Sequence, residues 1–142
     1  MDSQTVNSRG RDGLSLLSLD GGGVRGLSAL RILQCIMEQI DPNKPPKPCD
    51  YFDMICGTST GGLIAIMLGR LKMSVSDCIT EYQRLAKSVF TKSRHRVSLS
   101  AKIRGRFDHE ALERGIKGLL RRLGLDEDEL LKEDNGNPRC KT

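Results

Sequence analysis

Residues 51–68 read Tyr-Phe-Asp-Met-Ile-Cys-Gly-Thr-Ser-Thr-Gly-Gly-Leu-Ile-Ala-Ile-Met-Leu. At their centre Gly57-Thr58-Ser59-Thr60-Gly61 places a serine between two threonines and brackets the trio with glycines. The segment Tyr51–Cys56 before it predicts a strand, and Leu63–Leu68 after it predicts a buried helix, apolar all round and ended by Gly69 and Arg70. A serine at a strand-to-helix turn within G-x-S-x-G has the pattern of a nucleophile elbow. In that turn strained backbone exposes the hydroxyl, and glycines two residues either side remove clashes. Ser59 is thus the candidate nucleophile, with Gly57, Thr58, Thr60 and Gly61 as its elbow.

A second glycine motif lies upstream. Leu14–Leu19 (LSLLSL) predicts a short buried strand that runs into Asp20-Gly21-Gly22-Gly23-Val24-Arg25-Gly26. Residues 28–40 follow with apolar side chains at Leu30, Leu33, Ile36, Met37 and Ile40. That is helical spacing, with Ser28 as the expected N-cap. The glycines satisfy G-x-G-x-x-G, but a dinucleotide site needs an acid at the end of the next strand to hold ribose. About twenty residues on stands the proline-rich loop Asp41–Pro48, and Asp53 is expected inside the second strand. A P-loop also fails, because Leu27-Ser28 follows Gly26 where Lys-Ser/Thr is required. Glycines at a strand end leave backbone N–H groups unobstructed at a helix N-terminus, which is the equipment of an oxyanion hole.

Strand, glycine loop, helix, strand, sharp turn and helix in that order open an α/β domain with a parallel sheet. Two strands are too few for a stable sheet of this kind. The expectation is a chain that stops before the domain is complete. Further on, Ser76–Phe90 predicts a helix with Ile79, Tyr82, Leu85 and Val89 on one face. Asp108 caps another, with Phe107 and Leu112 as a staple and an apolar stripe of Leu112, Ile116, Leu119, Leu120 and Leu123. Residues 1–13 read as a disordered leader.

The chain has 142 residues, 37 % of them hydrophobic and 29 % charged. That suits one modest core and excludes low-complexity and membrane-spanning classes. The run Leu63–Leu68 is far too short to span a bilayer, and the polar start is no signal peptide. Five cysteines without a C-x-x-C pair give no metal-ligand spacing, and a cytoplasmic protein with reduced thiols is expected. Between Glu81 and Asp108 there is no acid, while Arg84, Lys87, Lys92, Arg94, Arg96, Lys102, Arg104 and Arg106 accumulate. Such a stretch is either a solvated basic face or attracted to anionic phospholipid headgroups at a membrane surface. Few aromatics stand among these cations, which argues against a groove for single-stranded nucleic acid.

Together DGGGVRG and GTSTGG resemble the patatin-like phospholipases, most strongly over Leu14–Leu71. The resemblance implies a three-layer α/β/α fold with a mainly parallel sheet. It implies a lipid acyl hydrolase that cleaves phospholipid or other glycerolipid esters through a Ser–Asp dyad, with no cofactor or metal. Ser59 would be the nucleophile. Gly21, Gly22, Gly23 and Gly26 would make the oxyanion loop, with N–H groups of Gly22 and Gly23 as donors and Arg25 holding it. The family's aspartate lies downstream in D-G-G or D-G-A, and this chain has no such motif beyond Asp20-Gly21-Gly22. Residues 14–142 are thus expected to be the N-terminal part of the domain, weakly active or inactive alone. His95, in the basic stretch, and His109, in a first helical turn, are poor substitutes for the base. The alternatives are a non-catalytic fragment that binds lipid or a partner, and, less favoured, a nucleotide-binding domain.

Overall fold

Apolar side chains at Leu17, Leu19 and Ile55 alternate with positions open to solvent, and this period of two sets up the sheet. A computed structural model describes residues 13–90, 109–128 and 139–142. Strands β1 (Leu16–Leu19) and β2 (Met54–Gly57) pair in parallel, with Leu16 opposite Met54 and Leu19 opposite Gly57. The expected α/β order with a parallel sheet is found. Helix α1 (Gly26–Ile40) makes the crossover. A short helix α2 (Pro48–Tyr51) leads into β2. Beyond the turn, α3 (Thr60–Ala65) runs on as a wider π-helical segment over Ile66–Arg70. Helices α4 (Val75–Phe90) and α5 (His109–Arg122) complete the described elements.

The core lies where α1, α3 and α4 meet the sheet. Leu30, Leu33, Met37, Ile55, Ile64, Met67, Leu68, Cys78 and Tyr82 are buried together there. Helix α5 packs on α4. Glu81, the one buried charged side chain among the described residues, binds Arg84 on its own helix and Arg122 on α5.

Several boundaries differ from expectation. Helix α1 starts at Gly26, directly from a 3₁₀ turn at Gly23–Arg25, so Ser28 lies inside it and is not the N-cap. The glycine loop coils straight into the helix and leaves no extended residue at Ser28. Ile36 and Ile40 are exposed rather than buried, because only Leu30, Leu33 and Met37 of α1 reach the core. Helix α1 ends where the Asp41 carboxylate accepts the N–H groups of Asn43 and Lys44, each at 3.0 Å. Tyr51 belongs to α2, whose first residue is Pro48, where proline is tolerated. Asp53 thus precedes β2, and its carboxylate accepts the Ser15 N–H at 2.8 Å. Helix α4 starts at Val75 because Ser74 caps it: the Asp77 N–H donates to Ser74 Oγ, which donates to the Asp77 carboxylate.

The first strand is less buried than its sequence suggests. Leu14 and Leu16 are exposed, as are Met54 and Cys56 on the same side of β2. Among the described residues, helices cover only the face that carries Leu19 and Ile55. On α5, Leu119 and Leu120 are buried with Ala111, while Leu123 lies past the helix end and is exposed. Lys141 forms a parallel bridge on the free side of β2: its N–H donates to the Asp53 carbonyl and its carbonyl accepts the Ile55 N–H. The leader up to residue 12, the basic residues 91–107, the cap at Asp108, the staple at Phe107 and the side chain of Val89 lie outside the described residues.

Candidate active site

Where β2 gives way to α3, the backbone is bent beyond what most residues adopt. Ser59 has φ 52° and ψ −125°. Side chains are rarely held in such a conformation, which costs on the order of 1–3 kcal/mol and persists only if the surroundings enforce it. The enforcement here is steric. A Cβ on Gly57 would lie 2.5 Å from the carbonyl carbon of Gly61 and 2.6 Å from the Leu19 carbonyl oxygen. One on Gly61 would lie 2.8 Å from the Asp20 carbonyl oxygen. The strand end, the turn and the first turn of α3 are in backbone-to-backbone contact, and only glycine fits.

That closeness brings the two glycine motifs together. A Cβ on Gly21 would meet Ser59 Cβ at 2.8 Å and Ser59 Oγ at 3.5 Å. The Gly21 N–H donates to Thr58 Oγ1 at 3.3 Å, and the Gly22 N–H donates to Thr60 Oγ1 at 3.2 Å. Gly22 (φ 156°) and Gly23 (φ 57°) take backbone conformations that favour glycine. Arg25 folds back over Gly22: its Nε would be 3.0 Å from a Cβ there, and its N–H donates to the Gly22 carbonyl. Gly26 faces Tyr82, whose ring oxygen would be 2.5 Å from a Cβ on Gly26.

The residues of the two glycine motifs thus lie in one place. Gly21, Gly22, Gly23, Arg25 and Gly26 form one wall, and Gly57, Thr58, Ser59, Thr60 and Gly61 the other. Two threonine hydroxyls already accept the N–H groups of Gly21 and Gly22. The Gly23 N–H and the Ser59 hydroxyl have no hydrogen-bond partner among the described residues. His109 opens α5, and His95 lies outside the described residues.

On its other side Ser59 lines a cavity of about 480 Å³, bounded by Cys56, Leu63, Ile66, Arg70 and Thr142 among others. Its wall is mostly apolar, with Arg70 at its rim. Among the described residues no group of three or more metal-binding side chains occurs, and no helix is long and apolar enough to cross a membrane.

Sequence reasoning missed the hydrogen bonds of Thr58 and Thr60 and the part played by Tyr82. The Tyr82 hydroxyl donates to the Gly23 carbonyl. Burial pushes that hydroxyl above its ordinary pKa, and a hydrogen bond from Thr60 partly offsets the rise. One signal was available: a tyrosine on the core face of a helix needs a partner for its O–H.

The sequence model of the patatin-like phospholipase family matches residues 17–135. Phospholipase A I of Arabidopsis thaliana is 41 % identical over 83 residues, 58 % of this chain and 6 % of that protein. Human calcium-independent phospholipase A2-gamma is 41 % identical over 81 residues, 57 % of this chain and 10 % of that protein. Patatin-like protein 4 of Arabidopsis thaliana is 34 % identical over 125 residues, 80 % of this chain and 31 % of that protein. No solved structure gives a significant match. The chain therefore spans less than a third of each of these relatives. With the family's sequence model covering most of its length, this chain belongs to the patatin-like phospholipase family.

Proposed function

We propose that residues 14–142 are part of a serine-dependent lipid acyl hydrolase, and that Ser59 is its nucleophile. The observation behind this reading is the strained Ser59 backbone pressed against Gly21. In the proposed reaction Ser59 Oγ attacks the carbonyl carbon of a glycerolipid ester. Its proton passes to a base and the carbonyl oxygen becomes an oxyanion. Loss of the alcohol leaves an acyl-Ser59 ester, which water hydrolyses. The Gly23 N–H, unpaired among the described residues, would donate to the oxyanion. The apolar cavity beside Ser59 is suited to an acyl chain, and phospholipase relatives support a lipid substrate.

The family resemblance assigns the base to an aspartate in a D-G-G or D-G-A motif, and apart from Asp20-Gly21-Gly22 these 142 residues hold no such motif. A serine hydroxyl without its base stays protonated near neutral pH, so the chain alone is weakly active or inactive. The basic stretch from Arg84 to Arg106 would draw the protein to anionic lipid surfaces, and exposed thiols at Cys35 and Cys56 suit a reducing, cytoplasmic setting.

The test compares the chain with Ser59→Ala in two assays. An alkyl fluorophosphonate is expected to label the wild type slowly and at Ser59 alone, with scant turnover of a short-chain chromogenic ester. Equal labelling of the alanine variant sinks Ser59 as nucleophile. Robust Ser59-dependent turnover sinks the missing-base reading. Salt-insensitive or absent sedimentation with anionic vesicles removes the surface contact.

A further inference from the structure

Two glycines in left-handed conformations make a loop with little intrinsic reason to hold one shape. Glycine loses more conformational freedom on ordering than any other residue. A donor on such a loop is useful only if something external fixes it before the reaction begins. Two hydrogen bonds to residues outside the loop meet this need. The Gly22 N–H donates to Thr60 Oγ1 at 3.2 Å. Tyr82 donates to the Gly23 carbonyl.

The positions of these two bonds decide what they hold. The Gly22 N–H belongs to the peptide unit before Gly22, and the Gly23 carbonyl to the unit after Gly23. Between them lies the Gly22–Gly23 peptide, which bears the Gly23 N–H. Its carbonyl is tied down by the Arg25 N–H. We propose that Tyr82, with Thr60 at the loop's other end, is the positioning residue of the glycine loop: the two side chains clamp the peptides on either side of Gly22–Gly23 and so fix the direction of the Gly23 N–H. Packing supports the assignment, since Gly26 leaves the space that the Tyr82 ring tip occupies and Tyr82 is 3 % exposed. The catalytic consequence rests on Ser59 being the nucleophile; the clamp itself does not.

The test uses the full chain and Tyr82→Phe, which removes one oxygen, with Thr60→Val as a second variant that removes the acceptor of the Gly22 N–H. Amide hydrogen exchange and reaction with an alkyl fluorophosphonate are measured on each. In Tyr82→Phe the Gly22 and Arg25 amides are expected to exchange at least tenfold faster, while amides of α1 and the melting temperature stay as in the wild type. The limiting rate of probe reaction falls at least tenfold, with the half-saturating probe concentration within twofold. Unchanged loop exchange in both variants overturns the proposal, whatever the probe does. A loosened loop with an unchanged labelling rate overturns it too. A loosened loop in a protein whose wild type takes no label supports the clamp and counts against Ser59 alone.

Discussion

Gly61 rides on the carbonyl group of Leu19. A Cβ at Gly61 would lie 2.7 Å from the Leu19 carbonyl carbon and closer still to its oxygen. Both partners are backbone, so neither can swing away. Gly61→Ala is expected to cost on the order of 3 kcal/mol, at the upper end for overpacking, because β1 itself must move. Gly118→Ala is the control. It sits inside α5, where a Cβ would meet only the flexible end of Arg122 at 3.4 Å. It should stabilise by roughly 0.5–1 kcal/mol. Urea unfolding of the two variants checks both signs.

Ser59→Gly should raise stability while removing the hydroxyl. Relief of the strained φ of 52° outweighs the extra freedom that glycine gains in the unfolded chain, for a net gain of about 1 kcal/mol. Ser59→Ala retains a Cβ in the same conformation and should leave the melting temperature nearly unchanged. A melting series of the three proteins separates strain from chemistry.

Glu81 joins α4 to α5 through its bonds to Arg84 and Arg122. Glu81→Ala should cost about 2 kcal/mol, mid-range for hydrogen bonds to charged groups. Arg122→Ala leaves Arg84 in place and should cost roughly half as much. Denaturant unfolding at two salt concentrations is the check. Arg122 is half exposed, so part of its contribution should fade at high salt, while that of the buried carboxylate persists.

Alkali should destabilise the fold through a thiol. Burial pushes Cys78 up to about 12 from an ordinary 9.0. Between these values the unfolded chain releases a proton that the folded one keeps. Fewer protons are then bound in the unfolded state, so stability falls as pH rises from 9 towards 12 and is fully present below 9. The limiting slope is about 1.4 kcal/mol per pH unit. Cys78→Ala should flatten the pH profile of the melting temperature in that window. A native thiol titration at pH 8 should find Cys35 and Cys56 reacting fast and the buried Cys49, Cys78 and Cys140 slowly.

The parts of the fold legible in the sequence were those governed by local stereochemistry. Glycines at 21–23, 57 and 61 announced places where the backbone must come close, and they do. Periodicity found the core positions Leu30, Leu33, Met37, Ile79, Tyr82 and Leu85. Burial of Leu16 was misjudged because it depends on what covers the sheet, which no local window records. Asp53 looked like a strand residue, yet its carboxylate is engaged by Ser15, far away in sequence. The threonine and tyrosine bonds were illegible for the same reason. Each hydroxyl could have met solvent, and only the folded arrangement chooses its partner.

The contact of Gly61 with Leu19 also bears on when the serine becomes unusual. Gly22 and Thr60 stand 38 residues apart in the chain. Closing so long a loop is paid for in entropy before any contact returns the cost. Residues 57–61 have no reason to strain Ser59 until β1 has paired with β2, because the contacts that enforce the turn come from Leu19, Asp20 and Gly21. The strain is therefore acquired only with the long-range pairing and not from the local sequence. A nascent or partly unfolded chain carries an ordinary serine, and the special geometry at Ser59 marks molecules that have finished folding.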